Sequence, residues 1–177
     1  MDKHTSRQNW HTDCERELNN QIGKEFQASY QYFSLYTYFD RDDIGLEKIA
    51  KFFKKMSDEE REHATKLSEY QNKRGGRVKL LPITAVNFDF KEKPNEDVKE
   101  AFITALNMEK TINTCLLILH KIADEHNDPQ FCDYLESDFL EEQVESANEL
   151  SKIIAQLNRI GDDNHGIWNF CNEFSKK

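Results

Sequence analysis

The chain has 177 residues, with 24 Lys and Arg against 33 Asp and Glu, for a formal net charge of −9. That length suits one domain, and an acidic chain with no basic stripe excludes nucleic acid and anionic membranes as partners while favouring cations. Only 6 Gly and 3 Pro interrupt it, and 12 Phe, 6 Tyr and 2 Trp supply a core, which excludes collagen-like, linker-like and turn-dense all-β chains.

The first residues, MDKHTSRQNWH, lack the apolar stretch of a secretory signal, and the longest apolar run, Leu116 to Leu119, is far too short to span a bilayer. The compartment expected on these grounds is the cytoplasm. Cys14, Cys115, Cys132 and Cys171 form neither a CxxC pair nor a zinc-finger spacing, and read as reduced packing thiols.

Thr12, with Glu15 three residues on, reads as a capping box opening a first long helix that runs to about Asp40. The segment Arg41 to Gly45 turns the chain, and a second helix should run from about Leu46 to Arg74 and stop at the Gly75-Gly76 pair. From Gly76 to Lys93, Pro82 and several β-branched residues leave no helical period, so a connection of nearly twenty residues is expected. A third helix should start near Pro94 or Asn95 and fade around Asp124. His126-Asn127-Asp128-Pro129 then supplies a turn, an N-cap and a proline at the first helical position. The fourth helix should continue to about Asn158 and close at Gly161, and a short fifth, from about Asn164 to Phe174, carries Ile167, Phe170, Cys171 and Phe174.

Four helices of about 28 residues are each about 42 Å long at the α-helical rise. An extended connection of about eighteen residues reaches about 60 Å, enough to run the length of such a bundle and leave the second and third helices parallel. The fold class is therefore all-α: a four-helix bundle of an up-down pair, one long crossover and a second pair, with a short fifth C-terminal helix, forming a single domain over 1–177.

Each long helix carries a core stripe stepped by threes and fours: Leu18, Ile22, Glu25, Ser29, Tyr32, Tyr36 and Phe39 in the first, and Ile49, Phe52 or Phe53, Met56, Glu60, His63, Leu67 and Tyr70 in the second. The third gives Val98, Phe102, Ala105, Glu109, Ile112, Leu116 and Leu119, and the fourth Leu135, Phe139, Glu142 or Gln143, Ser146, Leu150, Ile153 and Leu157. Polar groups interrupt all four near their midpoints, so Glu25, Glu60, Glu109 and Gln143 should meet in one cross-section, with His63 one turn beyond Glu60. Buried carboxylates cost several kcal/mol each unless protonated, paired or metal-bound, and no Lys or Arg occupies these central positions. A lone Glu on a charge-rich helix is an ordinary solvated group. Agreement among four helices is not. Most of the Asp58 to Glu62 acidic run needs only a solvated face.

Carboxylates with a single imidazole suit iron or manganese better than zinc. Glu60-x-x-His63 with a Glu from neighbouring helices is half of a di-iron carboxylate constellation. The other half is incomplete, because Ile112 follows Glu109 at three residues and helix four offers Gln143 and Ser146. One metal position thus has Glu25, Glu60 and His63; a second, looser one shares Glu60 and has Glu109, Glu59 at the stripe edge and the Gln143 amide.

The segments RQNWH, KEFQASYQYFS, FDRDD, EEREHA, QNKRGGR, NDPQFCDYLE and FLEEQV occur in that order over nearly the whole chain. In them the sequence resembles a eukaryotic ferritin of the heavy-chain type. The resemblance implies a ferritin-like di-iron domain whose ferroxidase residues are Glu25, Tyr32, Glu59, Glu60, His63, Glu109 and Gln143. It implies two Fe(II) ions per subunit oxidised by dioxygen, with Fe(III) passing to a mineral in a hollow homo-oligomer of twenty-four subunits, alone or with other ferritin subunits. It further implies that Glu59 and Glu62 seed mineral and that Asp133 and Glu136, otherwise ordinary first-turn acids, line three-fold pores. Thr65, Ser146, Cys171 and Ser175 depart from the heavy-type pattern. Two rival readings are a catalytically silent cage subunit and a rubrerythrin-like di-iron oxidase or peroxidase; the latter would show the second Glu-x-x-His.

Overall fold

A computed structural model describes residues 6–86, 88, 90–161 and 163–174. The elements are α1 (Thr12–Phe39), α2 (Glu47–Lys73), α3 (Pro94–Glu125), α4 (Pro129–Leu135), a π-helical turn (Glu136–Leu140), α5 (Glu141–Ile160) and α6 (Asn164–Glu173). Ser175 lies outside the described residues.

Two apolar clusters give the helix directions. One joins the end of α1 (Leu35, Phe39) to the starts of α2 (Ile49, Phe53) and α3 (Val98, Phe102) and the end of α5 (Ile153, Leu157). The other joins the start of α1 (Leu18, Ile22) to the ends of α2 (Leu67, Tyr70) and α3 (Leu116, Leu119) and to Phe131 and Leu135 of α4. Hence α1 and α2 are antiparallel, α2 and α3 are parallel, and the α4–α5 rod returns against α3, the bundle with one long crossover that the breaker spacing predicts.

Helix ends follow local chemistry, with one difference from expectation. Gly75, at φ 75°, donates to the Asn72 carbonyl and Gly76 to that of Gln71, a paired C-terminal closure. A Cβ on Gly76 would crowd Gln71 Oε1 and Trp10 Nε1, which are hydrogen-bonded to each other there, so a larger residue has to displace that pair. Asp128 caps α4 by accepting from the Phe131 amide, and Asp163 caps α6 from the His165 and Gly166 amides. The Thr12–Glu15 capping box does not form. His11 is the N-cap, its Nδ1 accepting from the Asp13 amide, because Glu15 is held by Arg7 and by the Arg77 backbone N–H at 2.9 Å.

The crossover is laced to α1 by two side-chain amides that stand in for a neighbouring strand. Asn19 donates to the Arg77 carbonyl and accepts from the Lys79 amide, and eight residues on Gln27 does the same at Thr84. At its far end, buried Asp97 accepts from the Lys91 and Lys93 amides and from the Tyr38 hydroxyl at 2.6 Å. Removing that acceptor strands three donors, each worth of order 1 kcal/mol or more. Asp97→Ala should lower unfolding stability by about 2–4 kcal/mol, read by chemical denaturation; a change within 0.5 kcal/mol, as at a plain surface site, would contradict the anchoring role.

The fourth rod is the other difference. A single uninterrupted helix was expected; instead Glu136–Leu140 forms one π turn between α4 and α5. Phe131, Leu135, Phe139 and Gln143 are all buried and all four residues apart. Three such steps drift about 120° round a plain α-helix. One wider turn removes most of that drift and keeps all four on the inner face.

Candidate metal centre

Between the two apolar clusters lies a polar layer. Glu25 from α1 and Glu109 from α3 are each 1% exposed, Glu60 and His63 from α2 are buried with them, and Gln143 from α5 and Tyr32 from α1 complete the layer. One ligand atom each of Glu25, Glu60 and His63 falls within 4.8 Å of the others. Tyr32 donates to Glu109 Oε1 at 2.5 Å and so sets that carboxylate's orientation. Gln21 donates to Glu25 Oε1 at 2.7 Å.

Two side-chain oxygens in this layer, Glu25 Oε2 and Gln143 Oε1, are buried with no hydrogen-bond donor. Buried acceptors are rarely left so, and each of these belongs to a different one of the two expected metal positions. A cation beside each oxygen would supply what it lacks, so the donor set fits bound metal. Hard oxygen donors with one imidazole suit iron or manganese.

The electrostatics agree. Burial, then the neighbouring Glu60 charge, pushes the Glu25 carboxyl well above its ordinary range. Burial also raises Glu60 and Glu109, against the hydrogen bonds that His63 and Tyr32 offer. Burial opposes charge on His63, but Glu142 and Glu60 together lift it to about 10. Its Nδ1 faces Glu60 Oε2 at 3.4 Å and its Nε2 faces Glu142 Oε2 at 3.1 Å. A metal ion held by Nδ1 would replace a proton there, with Glu142 fixing the ring from behind, as carboxylates do for ligating histidines. The stripe reading left Glu142 or Gln143 open for this level. Both are used: Gln143 inside the layer and Glu142 at its rim, a role signalled only by Glu142 sitting beside the stripe.

The other expected residues stand elsewhere. Glu59 is partly exposed and paired with Lys55 at 3.0 Å, and Glu62 is exposed and paired with Lys66 at 3.2 Å. Asp133 and Glu136 are exposed, and Glu136 meets His120 Nε2 at 2.6 Å. Thr65 bonds back to the Arg61 carbonyl, Ser146 is partly buried, and Cys171 is buried, its thiol raised to about 11 by desolvation. All four cysteines are free thiols.

Residues 15–160 match the Ferritin family, described as a ferritin-like domain. The chain belongs to the ferritin family. It is 50% identical to Ferritin-2, chloroplastic, of Zea mays over 96% of this chain and 67% of that protein, and 50% identical to Ferritin, chloroplastic, of Malus baccata var. xiaojinensis over 93% and 66%. Ferritin-1, chloroplastic, of Brassica napus is 48% identical over 93% and 65%. The chain thus spans about two thirds of the length of these ferritins. Membership supports iron storage as the general role. The relatives' names overturn the cytoplasmic expectation: the missing apolar stretch speaks only to secretory signals, whereas organelle-targeting segments are polar and amphipathic. No described helix is long and apolar enough to cross a membrane.

Two outcomes follow for metal-free protein. Glu25→Gln keeps the acceptor for Gln21 and removes a buried charge, so it should raise stability by about 1–3 kcal/mol while abolishing most metal-induced stabilisation; a lowered midpoint would contradict an uncompensated carboxylate. His63, raised from 6.5 to about 10, contributes stability that is whole below pH 6.5 and lost as pH rises toward 10. His63→Ala should flatten that decline in midpoints measured with a chelator present, and an unaltered slope would remove His63 as its source.

Proposed function

We propose that this ferritin is a ferroxidase that oxidises Fe(II) with dioxygen at the polar layer and stores the product as ferric mineral in a hollow shell of twenty-four subunits. The single observation that carries the reading is the pair of donorless oxygens, Glu25 Oε2 and Gln143 Oε1, in a layer of otherwise oriented carboxylates. Iron is the substrate and passes through. Glu25, Glu60 and His63 hold one Fe(II), and Glu60, Glu109 and Gln143, with Glu59 near by, hold the second.

Carboxylate oxygens favour Fe(III) over Fe(II), which lowers the cost of electron loss, and the layer keeps both ions where one dioxygen molecule can take both electrons. Two Fe(II) give two electrons, and dioxygen with two protons leaves as hydrogen peroxide. Tyr32 holds Glu109 in place throughout, and Glu142 holds His63. The weaker donors at the second position, an amide in place of a histidine, suit onward release of Fe(III). Glu59 and Glu62 then serve mineral nucleation, and Asp133 and Glu136 attract Fe(II) at three-fold pores.

Assembly is supported by the apolar surface a lone subunit leaves in water. Leu80 is 69% exposed, Val144 69%, Trp168 58% and Ile118 52%. The relatives' names point to a plastid as the compartment. A silent cage subunit is disfavoured because it would have no use for buried carboxylates that cost stability.

Glu60→Ala combined with His63→Ala should leave the assembly intact by size-exclusion chromatography and reduce aerobic Fe(II) oxidation to the rate in buffer. Oxidation as fast as in the parent protein would overturn the site assignment. Iron absorbance eluting with the protein peak after loading tests storage.

A further inference from the structure

An aromatic chain leaves the polar layer along the fourth rod. The His63 ring meets Phe139 edge-on with centroids 5.7 Å apart, and Phe139 meets Tyr134 edge-on at 5.5 Å. Tyr134 lies flat on Tyr70, with centroids 4.1 Å apart and planes 6° from parallel, and Tyr70 touches Trp10 at 5.8 Å. The π turn that keeps Phe139 on the inner face also puts its ring between the layer and Tyr134. Tyrosine and tryptophan give up an electron far more readily than phenylalanine, so Phe139 is only the medium through which an electron tunnels.

We infer that Tyr134 is a redox-active residue that supplies one electron to the polar layer when hydrogen peroxide meets a layer holding a single Fe(II). The inference rests on the ferroxidase reading, which supplies both reactants. Breaking the peroxide O–O bond takes two electrons, and a half-filled layer holds one. Without a second donor the product is a hydroxyl radical among the ligands. With Tyr134, one H2O2, one Fe(II), the phenol and one further proton give Fe(III), two waters and a neutral phenoxyl radical. The next Fe(II) returns an electron to that radical, which takes up a proton, so Tyr134 is restored and a second Fe(III) is made.

Arg74 makes Tyr134 the end of the route. Its guanidinium stands 4.6 Å from the Trp10 ring centroid and 5.5 Å from that of Tyr70, where positive charge opposes electron loss from either ring. The Tyr70 hydroxyl accepts from Arg74 and donates to Gln130 Oε1 at 2.6 Å, an amide that is no base for the departing proton. Tyr134 has the opposite surroundings. It is partly exposed, so its proton has water to go to. Burial, and after it the negative charge of Asp138, holds that proton on at rest, and the same negative charge eases the loss of an electron. Tyr32 also touches the layer, but it is fully buried and its hydroxyl donates to Glu109, so its proton would stay among the ligands.

The full-length assembly is given sub-stoichiometric Fe(II) and then H2O2, freeze-quenched and read by electron paramagnetic resonance, with Fe(III) absorbance followed in parallel. The parent should show a phenoxyl signal that Tyr134→Phe lowers and Tyr70→Phe keeps. In Tyr32→Phe the signal that remains should be lost when Tyr134→Phe is added. Each replacement keeps its ring, and unfolding midpoints check that packing along the chain is preserved. After repeated turnover, peptide mass spectrometry should find more oxygen added to the His63 peptide in Tyr134→Phe than in the parent. Fe(II) oxidised by the parent no faster than in buffer would overturn the ferroxidase reading and this inference with it. Normal oxidation with a radical signal indifferent to Tyr134→Phe, or lost equally in Tyr70→Phe, would overturn this inference alone.

Discussion

Glu25, Glu60 and Glu109 come from three helices into one dry cross-section, and no Lys or Arg is among the buried described residues. Among the described residues only protons and His63, itself raised by Glu142 and Glu60, offset these carboxyls. The bundle tolerates this because apolar layers above and below hold the rods together independently of the middle. Stability lives in the two clusters, and chemistry in the gap between them. Burial makes the layer destabilising while metal-free, and the same burial gives it appetite for cations.

The crossover is what lets one gap serve four helices. Parallel α2 and α3 bring Glu60 and Glu109 to the same height although a long extended segment separates their helices. That segment has no sheet to satisfy its backbone, so α1 lends two side-chain amides, Asn19 and Gln27, and α3 lends Asp97. Tyr38 joins Asp97 to the end of α1, tying the crossover's arrival point to the helix that carries Glu25 and Tyr32. The position of the carboxylates is thus a consequence of hydrogen bonds made well away from them.

Periodicity and breakers show the four rods, the crossover and the central residues, because each depends on spacing along one chain. Glu25, Tyr32, Glu60, His63, Glu109 and Gln143 do fall together. What depends on competition between distant partners is not legible in the same way. Glu15 reads as half of a capping box until Arg7 and Arg77 are seen to claim it. The stacking of His11 on His126 is equally invisible, since the two histidines are brought together by segments that Trp10 and Arg74 anchor and not by any local pattern. Compartment is a different kind of miss, for it is a matter of address and not of folding.

The π turn was the one interruption whose cause is present in the sequence. Buried positions spaced by four, from Phe131 to Gln143, cannot share a face of an ideal α-helix, and from Leu150 onward the stripe returns to steps of three and four. The widened turn therefore sits directly before the residues that reach the polar layer. It rotates Gln143 inward and leaves Glu142 at the rim, where it meets His63 Nε2. Without that turn the same sequence would bring Glu142 nearer the inner face, adding a fourth buried carboxylate to a layer already short of cations. Such turns are commonly found at functional sites, and here the reason is specific: it decides which of two adjacent side chains, an amide or an acid, faces the polar layer.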